Sequence, residues 1–339
     1  MKRTVLAVAA ATTALVLAAC AGGGNATQSA TTRQSGTSGT AGPAGSTGPF
    51  RIGITQIVSH TSLDAARDGF KKAFTDAGIE VEWDEQNAQG DQATAVSIAS
   101  KFATDKPDLV LAIATPTAQS AATAITDVPV LFTAVTDPVS AQLVASNEAP
   151  GANVTGTTDM NPVADQIALI KKFKPEAKTV GIIYSSGEVN SEVQVKLAKE
   201  AAKKEGLVVS EATVTNSSEV QQAAHSLGKV DSLYVPTDNT VVSALAGVVQ
   251  VAEDLRVPLI VGESDSVANG GLATVGIDYT QLGRQTGEMA IRILTRGADP
   301  ATMPVEAQKE FTMTINETSA AGMGVTIPEA LKSEATLVK

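Results

Sequence analysis

The 339-residue sequence predicts an α/β protein made of two Rossmann-like lobes, each with a parallel sheet, joined by a multi-strand hinge. Short apolar segments alternate with amphipathic ones over residues 50–339, which is typical of parallel sheets covered by helices. The same order of motifs also occurs twice. RIGITQIVSH, KPDLVLAIATPTAQSA and VPVLFTAVTDPV in the first half correspond to TVGIIYSSGE, KVDSLYVPTDNTVVSA and VPLIVGESDSV in the second. Two similar lobes with polar loops at their strand ends predict a cleft that closes on a small molecule.

The N-terminal segment has the features of an export signal. Lys2 and Arg3 precede an apolar run, and Leu17-Ala18-Ala19 leads directly to Cys20, the only cysteine. This pattern predicts a lipoprotein signal peptide at 1–19 and lipidation of the Cys20 thiol. Gly, Ser, Thr and Ala dominate residues 20–49, which predicts a lipidated flexible tether. We therefore expect a protein anchored to the extracytoplasmic face of a bacterial cell membrane.

The first lobe begins directly after the tether. Apolar, β-branched runs predict its strands. Polar residues that can cap a helix mark the helix starts, namely Thr61 or Ser62, Asp91 and Thr115-Pro116. The predicted strands are 51–57, 79–85, 109–114, 130–134 and 153–156. The predicted helices are 62–77, 91–104, 116–125 and 138–146.

The second lobe repeats this alternation. Its predicted strands are 179–184, 207–213, 231–235, 258–261 and 272–276. Its predicted helices are 161–173, 191–205, 218–227, 239–254 and 265–269, and Ser191 with Gln194 forms a plausible capping box. A long amphipathic helix is predicted at 280–296, followed by a strand near 310–315 and a final helix after Pro328.

A helix and a strand remain after two complete lobes, so the chain is predicted to cross between the lobes more than once. The expected crossings lie near 155–161, 276–280 and 300–312. The first lobe is then 50–157 plus about 278–305, and the second is 158–277 plus about 306–339. Several parallel crossings make a hinge that bends rather than a free linker.

The predicted binding site follows from the rule that ligands of parallel sheets bind at the carboxyl ends of the strands. Hydroxyl groups next to helix starts could bind a carboxylate together with backbone N–H groups, and aspartates could bind an ammonium group. Together they suit an α-amino acid, although each such residue could instead only cap its helix. The candidate ligand-binding residues are Gln56, His60, Thr115, Thr117, Thr136, Asp137, Ser185, Ser186, Asn190, Thr237, Asp238, Asn239, Asp265 and Asp278.

Composition argues against several other classes of protein. The chain has 36 acidic and 25 basic residues, and no basic cluster of the kind that binds nucleic acid. A single cysteine, two histidines and the lack of a Gly-x-Ser-x-Gly motif leave no catalytic triad. Neither metal-ligand spacing nor a phosphate-binding glycine motif occurs, so we expect no enzyme, no metal and no cofactor.

With these residues in place, the chain resembles a known family, the tryptophan/tyrosine-binding (TrpX-like) substrate-binding lipoproteins of ABC importers. The resemblance covers residues 50–339 and rests on segments such as IGITQIV, QNAQGDQATA, LFTAVTDPV, GLATVGIDYTQLGRQTGEMA and GVTIPEAL. It implies a type I periplasmic-binding-protein fold with three crossings. It also implies a small-molecule ligand, commonly an aromatic amino acid, that is delivered to an ABC permease.

The expected function is therefore solute binding for import, by a monomer that closes on an amino acid. Two alternatives remain open at this point. One is a ligand-sensing lipoprotein that reports to a membrane receptor, and the other is binding of a different small solute, such as a peptide or a nucleoside.

Overall fold

A computed structural model of the protein describes residues 49–339. The predicted signal peptide at 1–19, the predicted lipidation site Cys20 and the predicted tether at 20–49, apart from Pro49, lie outside the described residues.

The first lobe is built on a six-stranded sheet in which all neighbouring strands are parallel, in the order β11-β5-β4-β3-β1-β2. Its strands are β1 (Phe50–Gln56), β2 (Val81–Asn87), β3 (Leu109–Ile113), β4 (Val130–Val135), β5 (Val154–Thr158) and β11 (Glu306–Ala307). Its helices are α1 (Thr61–Asp76), α2 (Gln92–Asp105), α3 (Thr115–Ala124) and α10 (Tyr279–Arg296). Every residue of β3 and of β4 is buried, as expected for central strands covered on both faces.

The second lobe is built on a seven-stranded sheet in the order β13-β12-β10-β9-β8-β6-β7, in which only the β10–β12 pair is antiparallel. Its strands are β6 (Thr179–Ser185), β7 (Val208–Val214), β8 (Leu233–Val235), β9 (Leu259–Val261), β10 (Ala273–Gly276), β12 (Thr312–Asn316) and β13 (Thr336–Val338). Its helices are α4 (Val163–Phe173), α5 (Val189–Lys204), α6 (Val220–Ser226), α7 (Asn239–Val242), α8 (Leu245–Leu255), α9 (Ser264–Ala268), α11 (Glu317–Gly322) and α12 (Glu329–Glu334).

The two sheets share one topology. The order β2-β1-β3-β4-β5 in the first lobe corresponds to β7-β6-β8-β9-β10 in the second, and each lobe has its own hydrophobic core. The predicted α/β fold of two lobes with parallel sheets is confirmed. Because strand order reverses between β1 and β3, and again between β6 and β8, each lobe has a crevice at that point.

The chain passes between the sheets three times, at 159–162, 277–278 and 308–311. These crossings are hydrogen-bonded to one another. The Ile277 N–H donates to Asn161 Oδ1 (3.2 Å), and the Gln308 side chain donates to the Asp278 carbonyl (2.6 Å) and accepts from the Asp278 N–H (3.3 Å). The crossings therefore form one connected hinge.

Helix α10 lies in the first lobe because it packs closely against α1. Glycines at the contact let the two backbones approach: a Cβ atom at Gly283 would lie 1.8 Å from the carbonyl oxygen of Ala66, and one at Gly69 would lie 2.1 Å from that of Thr280. Since α10 follows β10 of the second sheet, this contact returns the chain to the first lobe after the second crossing.

Three local predictions are wrong or incomplete. The predicted helix at 138–146 is a series of turns. The Asp137 carboxylate caps the N–H groups of Val139 and Ser140, but Gln142 has a left-handed φ of 60°, which ends the helical backbone after about one turn. The predicted helix at 239–254 divides into α7 and α8 at Ala244, whose backbone is not helical. The short elements β11, α11 and β13 were not predicted.

Within residues 49–339, no helix is long and apolar enough to cross a membrane. The same part of the chain holds no group of three or more His, Cys, Asp or Glu side chains placed to bind a metal ion.

Candidate functional site

A small enclosed cavity lies between the lobes, at the carboxyl ends of the strands of both sheets. From the first lobe it is lined by His60, Leu63, Ala134 and Thr136. The hinge side contributes Asp159 and Tyr279, and the second lobe contributes Asn190, Thr237, Asp238, Asn239, Val242 and Glu263. The cavity volume is about 10 Å³, the space of about one water molecule. The lobes must therefore separate before a larger molecule can enter.

Direct contacts join the two lobes across the cleft. The Asn269 side-chain amide donates to Thr61 Oγ1 (2.8 Å), and the Gln194 amide donates to Thr136 Oγ1 (3.5 Å). His60 Nδ1 also lies 4.0 Å from Glu263 Oε1. These contacts need the lobes to be close together, so the structure represents a closed arrangement.

The hinge side of the cavity carries a buried carboxyl group at Asp159, which follows β5. The Tyr279 hydroxyl donates to Asp159 Oδ2 (2.7 Å), whereas Oδ1 is buried without a hydrogen-bond partner in the described part of the chain. Burial raises the pKa of Asp159 to about 6, although the hydrogen bond from Tyr279 and the nearby Thr136 hydroxyl oppose this shift. The unpaired oxygen is a site where a ligand can donate a hydrogen bond.

Glu263 adds a second acidic group to this side. It follows β9, and its Oε1 accepts a hydrogen bond from Ser266 (2.8 Å). Burial raises the pKa of Glu263 to about 7, and the neighbouring charge of Asp265 adds to the shift. Among the described residues that line the cavity there are three carboxyl groups and neither a lysine nor an arginine. The cavity therefore favours a ligand that carries positive charge.

The third carboxyl group of the lining, Asp238, is already occupied by donors of its own lobe. It accepts from the backbone N–H groups of Ser185 (2.6 Å) and Val241 (2.7 Å) and from the Ser191 hydroxyl (2.6 Å). Burial, and then the charge of Glu188, raise the pKa of Asp238. This group holds the loops after β6 and β8 together, so its first role is structural.

Glu188 occupies one of the helix starts that the sequence offered as sites for a ligand carboxylate. Its carboxylate accepts from the N–H groups of Asn239 (3.1 Å) and Thr240 (3.0 Å), from the Thr240 hydroxyl (2.8 Å) and from the Asn190 amide (3.0 Å). The N-terminus of α7 is thus bound by a carboxylate of the chain itself.

His60 is the remaining titratable group that faces the cavity. Its side chain is 8% exposed, and neither ring nitrogen has a hydrogen-bond partner among residues 49–339. Burial lowers the pKa of His60, against the opposing effects of Asn239 and of the nearby acidic groups. A neutral imidazole offers the ligand one donor and one acceptor.

The structure brings six of the candidate residues to the cavity, namely His60, Thr136, Asn190, Thr237, Asp238 and Asn239. It places the other eight elsewhere. Asp137 and Asp278 cap the backbone of the residues that follow them, and Asp278 is exposed. The side chains of Gln56 and Thr117 donate to the backbone of their own segments, at Val58 (2.9 Å) and Ile113 (2.6 Å). As ligand contacts, all of these residues stay predictions.

The remaining four lie close to the cleft without lining the cavity. Thr115 and Ser185 are buried, Asp265 is half-buried, and Ser186 is exposed. The Thr115 hydroxyl has no partner in the described region, and the Ser185 N–H is bound to Asp238 as described above. Burial raises the pKa of Asp265.

Four acidic or phenolic residues of the site were not among the candidates: Asp159, Glu188, Glu263 and Tyr279. Each of them lies at a strand end or at a predicted crossing, so the strand-end rule already pointed to the right loops. The candidates from these loops include Asp265 and Asp278 but not Glu263 and Tyr279, because nothing in the local pattern shows which side chain of a loop turns inward.

Two lobes that close around a polar cavity at a hinge define a solute-binding protein. The family model for ABC transporter substrate binding proteins matches residues 51–339, and this chain belongs to that family. The fold is the type I periplasmic-binding-protein fold that the resemblance implied.

Individual relatives are similar over most of the chain. A protein of Clostridioides difficile named "Tyrosine-binding protein" is 48% identical over 271 residues, which are 78% of this chain and 78% of that protein. A Streptococcus pneumonia ABC domain in complex with L-Trp superposes with a TM-score of 0.83 at 38% identity, covering 86% of this chain and 100% of that one. A ligand-free, open substrate-binding protein with adhesive properties from Clostridium difficile superposes with a TM-score of 0.65 at 46% identity, covering 86% and 99%.

The last two comparisons bear on the arrangement of the lobes. The open relative is more similar in sequence, yet it superposes less well than the complex with L-Trp. Sequence similarity alone would give the opposite order. The better superposition on the complex agrees with the contacts across the cleft in the present structure.

Proposed function

We propose that this chain binds an amino acid, with an aromatic amino acid as the narrower expectation, and delivers it to the permease of an ABC importer. The observation that carries the proposal is the unpaired Oδ1 of Asp159 at the closed cavity, beside Glu263 and without a basic residue in the lining. A carboxylate in this setting binds an α-ammonium group with a charge-assisted hydrogen bond. The relatives named for tyrosine and solved with L-Trp support the amino-acid class.

The protein works by binding and closure, without covalent chemistry. The ligand contacts both lobes and the hinge, so it stabilises the closed form, which the permease recognises. The neutral imidazole of His60 can donate one N–H to the ligand carboxylate. We expect a monomer, because a single chain supplies both walls of the cavity.

A ligand screen tests the amino-acid assignment. Thermal stabilisation of the purified protein is measured with each of the twenty amino acids, with short peptides and with nucleosides. One or a few amino acids should raise the melting temperature, because they bind only the folded protein. For the best amino acid, the analogue without its α-amino group should give no shift. Stabilisation by nucleosides or peptides alone would contradict the proposal.

We further propose that Cys20 is lipidated and holds the protein at the extracytoplasmic membrane surface. The support is the sequence pattern of residues 1–20 and the apolar contribution of acyl chains, about 0.8 kcal/mol for each buried methylene group. The native protein should partition with membranes and acquire radiolabelled fatty acid. Cys20→Ser should abolish the label, and a label that persists in this variant would refute the proposal.

A further inference from the structure

The cavity holds a second buried acceptor besides Asp159. The Asn190 side chain lines the cavity and is 3% exposed, and its Oδ1 has no hydrogen-bond partner within the described chain. Asn190 is the second residue of α5, at the carboxyl end of β6, so it belongs to the second lobe.

Neighbouring groups fix the orientation of the Asn190 amide. Its Nδ2 donates to the carbonyl of Thr237 (2.9 Å) and to Glu188 Oε2 (3.0 Å). A flipped amide would turn its oxygen toward a carbonyl and a carboxylate, both of which only accept hydrogen bonds. The carboxylate of Glu188 is itself fixed by the N-terminus of α7. The side-chain oxygen of Asn190 is therefore the polar atom that can accept a hydrogen bond from a ligand in the cavity.

Two buried acceptors of different charge need two different donors. The ionisable carboxyl group at Asp159 suits an ammonium group, and the neutral amide oxygen at Asn190 suits a neutral N–H or O–H group. Apolar side chains of Leu63 and Val242 also line the cavity and can contact a ring. An aromatic amino acid with a donor on its side chain has this combination of groups.

We propose that Asn190 determines specificity by accepting a hydrogen bond from the ligand side chain, so that the protein prefers tyrosine and tryptophan to phenylalanine. This inference rests on the proposed binding of an amino acid. Phenylalanine fills nearly the same volume, but it leaves the Asn190 oxygen buried and unpaired. A site built around a buried hydrogen bond discriminates against the analogue that lacks the donor.

The first test varies the ligand and leaves the protein unchanged. Dissociation constants are measured by calorimetry for tyrosine, tryptophan, phenylalanine and 1-methyltryptophan. At least one of tyrosine and tryptophan should bind ~10- to 100-fold more tightly than phenylalanine. If tryptophan binds, methylation of its indole nitrogen should weaken binding to a similar degree. Equal affinity for phenylalanine and for both donor-bearing ligands would overturn the inference.

The second test replaces the acceptor. Asn190→Leu should reduce the preference over phenylalanine to within about threefold, because neither ligand then leaves an unpaired amide oxygen. Val242→Ala is the matched control, since it alters an apolar wall of the same cavity and should weaken all aromatic ligands alike. Equal weakening of all ligands by Asn190→Leu would also overturn the inference.

The outcomes separate this inference from the proposed function. If no amino acid binds the unaltered protein, the proposed function fails and the inference fails with it. If phenylalanine binds as tightly as tyrosine and tryptophan, the amino-acid assignment stands and only the role of Asn190 is refuted. If Asn190→Leu fails to fold, the dissociation constants of the ligand series on the unaltered protein still test whether the site prefers ligands with a side-chain donor.

Discussion

At the scale of single residues, burial controls the charge of the cavity. Asp159 and Glu263 have pKa values raised to about 6 and about 7, both because burial penalises the charged form. Their ordinary values are 3.8 and 4.5, so in the closed form both groups hold protons that the unfolded chain has already released near pH 5. The unfolding free energy of the closed, empty form therefore falls as the pH rises from about 4 to about 7.

Ligand binding should show the opposite dependence on pH. An ammonium group binds the ionised form of Asp159, so affinity should rise about tenfold between pH 5 and pH 7.5 and level off above that range. Calorimetric titration at several pH values measures this change in ligand affinity. Asp159→Asn should weaken binding at least about tenfold at pH 7.5 and flatten the pH profile.

Asp299→Asn is the control for that substitution. Asp299 is an exposed carboxylate outside the cavity lining that accepts from the Ala301 N–H (2.9 Å), and an asparagine side chain can accept the same hydrogen bond. Binding by Asp299→Asn should match that of the unaltered protein. The same steep pH profile in Asp159→Asn would show that another group binds the ammonium.

At the scale of elements, the contact between α1 and α10 decides which lobe the C-terminal helix joins. Gly283→Ala would bring a Cβ atom against the backbone of Ala66 and force the two helices apart. We expect this substitution to lower the free energy of unfolding by about 1–3 kcal/mol, as for overpacking in a core. Denaturant-induced unfolding measures the change.

Gly187→Ala provides the matched control for the helix contact. A Cβ atom at Gly187 would meet only the Ser185 hydroxyl, at 3.8 Å, and the backbone there is not left-handed. Its stability should change by a few tenths of a kcal/mol. Equal destabilisation by both substitutions would mean that the close approach of α1 and α10 is unimportant.

The element scale also shows how far sequence patterns reach. Apolar runs located the strands of both sheets other than β11 and β13 to within a few residues, because a buried parallel strand needs a continuous apolar segment. The pattern failed at 138–146, where apolar residues at helical spacing form turns instead. There the Asp137 carboxylate caps a first turn, but Gln142 takes a left-handed φ of 60° and ends it, and this backbone conformation is not visible in the periodicity.

At the scale of the whole molecule, closure combines the hinge with contacts across the cleft. Asp159 lies in the first crossing and also lines the cavity, so a ligand that binds it contacts the hinge directly. On the opposite side, the hydrogen bond between Asn269 and Thr61 forms only when the lobes are close. We therefore expect closure to depend on the hinge, on a ligand at Asp159 and on the hydrogen bond between Asn269 and Thr61.

Removal of the hydrogen bond between Asn269 and Thr61 should shift the equilibrium between the closed and open forms toward the open form. Asn269→Ala is expected to weaken ligand binding about two- to tenfold, the effect of one hydrogen bond between neutral groups. Small-angle scattering of the ligand-free protein should show a larger mean radius of gyration. The double variant with Thr61→Ala should bind about as well as either single variant, because both remove the same bond. Additive losses would show that the two residues act separately.

The sequence by itself determined the two-lobed fold and the loops that meet at the cleft. Both follow from local features, namely the duplicated motifs, the apolar strands and the helix starts, which neighbouring residues encode. Only the tertiary structure decided which side chains of those loops face the ligand. Glu188 caps a helix start some 50 residues further along the chain, and this bond in turn orients Asn190. Such long-range partners, and the burial that raises the pKa of Asp159, exist only once both lobes have folded and closed.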